Sequence, residues 1–139
     1  MKFSTLVSCE DLDSTLITLT GLTNATYSAQ MFGAPKWAQT MYFEDHVNSS
    51  PQWQKWFAAG LAMTATSTCA VNACSLTKAQ KKTVLKACGT NHAIAVGLMA
   101  KQMADGDFKK PIGFATVGLL GVQAVACFAR AFHKDADEA

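Results

Sequence analysis

The stretch WFAAGLAMTATSTCAVNACSLT, Trp56–Thr77, runs 22 residues without a charged side chain, between Lys55 and Lys78. As a helix it would rise about 33 Å, enough to cross a hydrocarbon layer of about 30 Å. Three more charge-free runs accompany it: Ser14–Pro35 (22 residues), Ala87–Ala100 (14) and Pro111–Ala129 (19). Most ionisable residues collect in the intervals Lys36–Lys55, Lys78–Lys86 and Lys101–Lys110. Charged residues are only 16% of the chain, against roughly 25% in ordinary soluble domains. The third run reaches spanning length if Lys86 and Lys101 snorkel outward, so that Thr83–Leu85 and Gln102–Met103 join it.

The runs are rich in Ala, Thr, Ser and Gly, and mean hydropathy is only +0.12. Small residues let membrane helices approach closely. Ala58, Ala62, Ala65, Cys69 and Asn72 recur at spacings 4, 3, 4 and 3, a seam along one helical face. Gly118 and Gly121, flanked by Ala115 and Ala124, form a similar set. A soluble bundle with an Ala-rich core is the competing fold, but it needs polar outer faces. The outer face of Trp56–Thr77 carries Leu61, Met63 and Val71 and no Lys, Glu or Arg.

The expected fold is therefore all-α: one domain over residues 1–139, an integral membrane four-helix up-down bundle with both termini on one side. Its helices are expected at about 14–35, 52–77, 83–103 and 111–132. Asp13–Ser14 can cap the first and Gly33-Ala34-Pro35 can end it; Ser50-Pro51 and Pro111 can open the second and fourth. The 20 residues Lys36–Lys55 are expected to form a loop. Trp37, Trp53, Trp56, Tyr42 and Phe43, in or beside it, suit an interfacial aromatic belt or a loop packed onto the helix ends, and the two are compatible. Seven Lys/Arg fall on the side of the termini and five on the other, and the cluster Lys78, Lys81, Lys82 leans the termini toward the cytoplasmic, stromal or matrix side.

Other classes are excluded by what the chain lacks. A net charge of +2 with no Lys/Arg cluster among aromatics does not suit nucleic acid. The five cysteines, Cys9, Cys69, Cys74, Cys88 and Cys127, form no CxxC, and structural disulfides are not expected. MKFSTLVS is followed at once by CEDLD, so no secretory apolar core develops. The glycosylation patterns at Asn24 and Asn48 read as chance matches, the first inside an apolar run and the second just before Pro51. No GxSxG, HExxH, Walker A or GxGxxG signature occurs. Asp105-Gly106-Asp107 reads as a turn, and Glu44-Asp45-His46 as a solvated loop.

Each run nevertheless carries an amide or imidazole: Asn24, Asn72, Asn91 with His92, and Gln123. At 1.5 Å per residue, Asn72, His92 and Gln123 should share one layer about 7–9 Å deep, with Asn24 near the midplane. Such groups either bond one another or hold a ligand. Neutral His92 could offer a ring nitrogen to a metal-centred pigment such as chlorophyll, or to a quinone, assisted by Asn91, Gln123 and Asn72. No metal site is expected, since His46 and His133 lie outside the runs. The expected function is a non-catalytic accessory subunit of a photosynthetic or respiratory supercomplex. Its setting would be a thylakoid or mitochondrial inner membrane, its partners other membrane subunits and lipids, and it would bind no nucleic acid. The alternative is a stand-alone transporter or membrane enzyme built on the polar layer around His92.

Overall fold

The computed structural model describes residues 11–47 and 50–133, without the side chains of Pro51 and Trp53. Lys2, Cys9, Asn48 and Lys134 thus lie outside the described residues. Those described form five helices and no strand: α1 Leu12–Gly33, α2 Pro35–Tyr42, α3 Pro51–Asn72, α4 Lys78–Asp105 and α5 Lys110–Phe132.

The helix ends follow local chemistry. The cap of α1 is Asp11, ahead of the expected Asp13–Ser14: its carboxylate accepts from Ser14 N at 2.7 Å and from Lys81 Nζ at 2.6 Å. The Lys81 bond first, and the Ser14 bond second, hold the Asp11 carboxyl below its ordinary range. Gly33-Ala34-Pro35 does end α1, with Ala34 N donating to Gln30 O at 3.0 Å. Pro35 then opens α2 inside the expected loop. Eight residues are too few for a helix to stand alone; Ala38 and Tyr42, one turn apart, are buried against Phe108 and hold it. Helix α4 starts at Lys78, five residues before the expected 83, because Thr77 and Gln80 make a reciprocal capping box. It stops at Gly106, whose φ of 82° is the left-handed conformation that glycine adopts freely.

Helix α1 lies along α3, and α4 along α5. Of the four long helices only α1 joins the two pairs at close range, with no Cα of α3 packed within 8 Å of α4 or α5. The bundle is open on its α3–α4 side. The small-residue seam of α3 faces α1, with Ala58, Ala65 and Asn72 buried and Ala62 and Cys69 half-buried. There Ser28 Oγ donates to Ala58 O at 2.8 Å. Gly21 fits because a Cβ on it would stand 2.7 Å from Cys69 Sγ. Ile17, Leu85, Cys88, Cys127 and Ala131 form the core shared by α1, α4 and α5. The Gly118–Gly121 set differs from expectation: both glycines look outward, with nothing within 4 Å of a Cβ placed there.

Charged pairs sit at the two ends, Asp11–Lys81 and Asp13–Arg130 at one and Lys101–Asp105 at the other, where His46 Nε2 also lies 3.3 Å from Asp107 Oδ1. At the second end Phe43 and Phe108 pair as an isolated bridge, with Glu44 N on Asp107 O and Lys109 N on Tyr42 O, each 2.9 Å. Tyr42 and Phe43 are packed inward and do not join Trp37 and Trp56 in an exposed belt. Burial holds the Tyr42 phenol above its ordinary range.

One helix among the described residues, α5, is long and apolar enough by composition to cross a membrane. Helices α1, α3 and α4 do not meet that measure, because threonine, serine and amide residues, and in α4 also Lys86 and His92, dilute their aliphatic content. Many of these hydroxyls donate to their own helix one turn back, as at Thr20, Thr26, Thr64, Thr66, Thr68 and Thr83. A hydroxyl so occupied needs no water.

Candidate functional site

The polar residues of the runs converge on α1, but in steps and not in one plane. Asn72 Nδ2 donates to Thr18 Oγ1 at 2.9 Å and to Ser14 O at 3.2 Å. His92 Nε2 lies 3.2 Å from Thr20 Oγ1. Gln123 Nε2 donates to Thr23 Oγ1 at 2.9 Å. From Thr18 to Thr23 the partners climb α1 by about 7.5 Å. Counting residues from helix ends puts the three side chains at one height; the longer α4 and the reach of the side chains separate them.

His92 is 1% exposed, enclosed between helices. A Thr20 hydroxyl that donates to Leu16 O, 3.1 Å away, leaves its oxygen able to accept from a protonated His92 Nε2. A metal-centred pigment at Nε2 would have to displace this bond. His92→Leu is expected to lower stability by about 1 kcal/mol, the worth of one hydrogen bond lost together with its partner's acceptor. Thermal unfolding in detergent checks it, and a loss no larger than that of an exposed control such as Asn91→Leu would contradict the assignment.

Asn91 points away from the other three. It is exposed and borders a cavity of about 360 Å³ between α3 and α4, with Thr64, Ser67 and Thr68 opposite and Thr20 beneath. A second cavity, about 330 Å³, lies at the α2 end of the same α3–α4 side. Tyr27 and Met31 of α1 line it together with Phe57 of α3 and Met99 of α4. Tyr42, Phe43 and Phe108 close one wall, their ring centroids 5.3–5.8 Å apart along the chain of contacts. Gln54 and Gln102 supply its amides, and among the described residues no charged one borders it.

Asn24 stands apart again. It is 5% exposed, and its Nδ2 meets no hydrogen-bond partner. Leaving a buried donor unmade costs about 1–3 kcal/mol. Sequence reasoning puts Asn24 at the midplane but gives it no role, and it misses the aromatic cavity. The cavity's signal is readable in part: Tyr27, Met31, Phe57, Met99 and Gln102 all fall toward the same end of their helices.

Among the described residues no group of three or more His, Cys, Asp or Glu side chains could hold a metal ion. The four cysteines described, Cys69, Cys74, Cys88 and Cys127, are free thiols. Comparison with protein-family models, with curated proteins and with solved structures finds no match to this chain.

Proposed function

We propose that the chain is a non-catalytic accessory subunit of a larger membrane-embedded bioenergetic assembly, a photosynthetic or respiratory supercomplex, with its four long helices crossing the bilayer. The observation that carries the reading is the outer surface between the charged ends. Met63 on α3 is 71% exposed, and Val122 and Val125 on α5 are 70% and 69% exposed. Ile94 and Leu98 of α4 and Leu19 and Leu22 of α1 complete an apolar girdle around the bundle. In water such a girdle would be a large aggregation-prone patch; in lipid it is the ordinary exterior. Part of the low hydropathy of α1, α3 and α4 comes from polar groups that point into the bundle or bond their own backbone, such as Asn72, His92, Thr20 and Thr68, and part from exposed Ser67, Lys86, Thr90 and Asn91. On α5, Val117, Gly118, Gly121 and Val122 frame a shallow outward groove, where a neighbouring helix can approach closely.

The expected result is that the protein stays in the pellet through alkaline carbonate and high salt, and migrates with a large complex when the membrane is dissolved in mild detergent. Release by carbonate would return the chain to the soluble bundle. Retention in the membrane with migration as a free monomer would favour the stand-alone reading.

A further inference from the structure

The aromatic cavity has a chemical polarity, and a run of amides sets it. Gln39 Nε2 donates to Val47 O at 2.6 Å. A backbone carbonyl can only accept, so Gln39 turns its own oxygen the other way, where Gln54 Nε2 donates to it at 2.7 Å. Exchanging nitrogen and oxygen in either amide would set two acceptors face to face. Among the described residues Gln54 borders the cavity and Gln39 does not. The half of the Gln54 amide turned away from Gln39 is its carbonyl oxygen, Oε1. Tyr42, on the same lining, donates its hydroxyl to Gln30 Oε1 at 2.5 Å, so its oxygen too faces its surroundings as an acceptor. Gln102 carries both a donor and an acceptor and favours neither.

We propose that this cavity binds a neutral aromatic ring bearing a hydroxyl group and an apolar tail, in chemical terms a lipophilic phenol, whose O–H donates to Gln54 Oε1. The five aromatic rings and two methionines of the lining match a flat apolar ring. Acceptors whose own donors are engaged elsewhere match a ligand that brings a proton, and a ligand recognised through carbonyl oxygens would set acceptor against acceptor at Gln54. Among the described residues no charged side chain borders the cavity, which selects against phosphates and carboxylates. A volume of about 330 Å³ lies within the size of ordinary small-molecule sites, about 300–1,000 Å³. The gap between α3 and α4, where no Cα of one helix comes within 8 Å of the other, gives the tail a way out sideways. A bare acyl chain would press carbon against the Gln54 carbonyl and lose that contact's selectivity.

The tail's route of access assumes the membrane-embedded reading, but binding by the purified protein does not, so either can fail alone. Titration calorimetry on the intact protein in detergent micelles is the test. para-Heptylphenol should bind saturably, one to one. para-Heptylanisole, in which a methyl group replaces the phenolic proton, should bind about tenfold more weakly, the worth of one hydrogen bond to a buried acceptor. In Gln54→Leu the phenol should lose this advantage while the ether keeps its affinity. Phe57→Ala, at a position 54% exposed and outside the core, should weaken phenol and ether by the same factor, since both stack on that ring. It locates the site even where Gln54→Leu does not fold. Partition into micelles without saturation, an ether as tight as the phenol, or a phenol advantage that survives Gln54→Leu would overturn the site. So would a Phe57→Ala variant that binds both ligands as tightly as before.

Discussion

Gly21→Leu is expected to part α1 from α3, lowering stability by about 3 kcal/mol or more, at the upper end of the usual cost of overpacking a tight contact. The first added carbon would stand 2.7 Å from Cys69 Sγ and 3.5 Å from Ala65 O. The thiol can rotate, but the Cβ already meets the Ala65 carbonyl and Thr68 Cβ at contact distance, and leucine adds three more carbons beyond it. Relief requires moving a whole helix, and with it the Ser28–Ala58 and Asn72–Thr18 bonds. Thermal unfolding by circular dichroism in detergent is the measurement. Gly60→Leu and Gly97→Leu are the controls, since a Cβ on either glycine would meet no atom within 4 Å. If Gly21→Leu melts with these controls, the close α1–α3 contact is not what holds the pair.

Arg130→Met should be the second large effect. Arg130 Nε donates to Asp13 Oδ1 at 2.7 Å, with the Asp13 side chain 10% exposed. Removing the cation leaves a carboxylate in a site with little water. Breaking a fully buried pair costs about 3–5 kcal/mol; the Arg130 side chain is 29% exposed, so about 2 kcal/mol is the expected loss after screening. The double variant Asp13→Leu with Arg130→Met should recover most of it, because the stranded charge is then gone. A double-mutant cycle in which the two losses simply add would show that the residues act independently. The Lys101–Asp105 pair, on the surface one turn apart, should tolerate the same treatment with little change.

Much of the helical layout is legible because charge-free runs mark where a chain can stay out of water. Their edges come within two or three residues of α1 and α5, whereas α3 runs five residues ahead of its run at both ends and stops at Asn72 and not at the expected 77. The 4-3-4-3 spacing of Ala58 to Asn72 identifies the face of α3 that meets α1. Helix α2 is not legible, because its order comes from Tyr42 and Ala38 packing on Phe108, 66 and 70 positions downstream. The first turns of α4 are hidden when lysines are read as a boundary, although Thr77 and Gln80 spell out a cap. For the polar residues, type is readable, but burial holds for Asn24, Asn72 and His92 and fails for exposed Asn91, and partners are not readable. Asn72, His92 and Gln123 each find a threonine hydroxyl on α1, and threonine gives no advance sign of which face it will share. The aromatic cavity is least legible, since three long helices, α2 and the connecting segments supply its walls. Only the tertiary arrangement brings them together.

Because α3 packs closely on neither α4 nor α5, the order in which the chain is made acquires weight. Helix α1 is synthesised first, yet Thr18, Thr20 and Thr23 on it are the acceptors for side chains that arrive on α3, α4 and α5 in turn. It must wait, partly unsatisfied, until α3 emerges to take its first face. Helices α4 and α5 follow as neighbours in sequence joined by a short turn, and can close on each other without help from what came before. Assembly is then the docking of one finished hairpin onto the exposed stripe of another. The same division implies that the molecule loosens in two steps, with the α4–α5 hairpin leaving as a unit before either helix within it is lost.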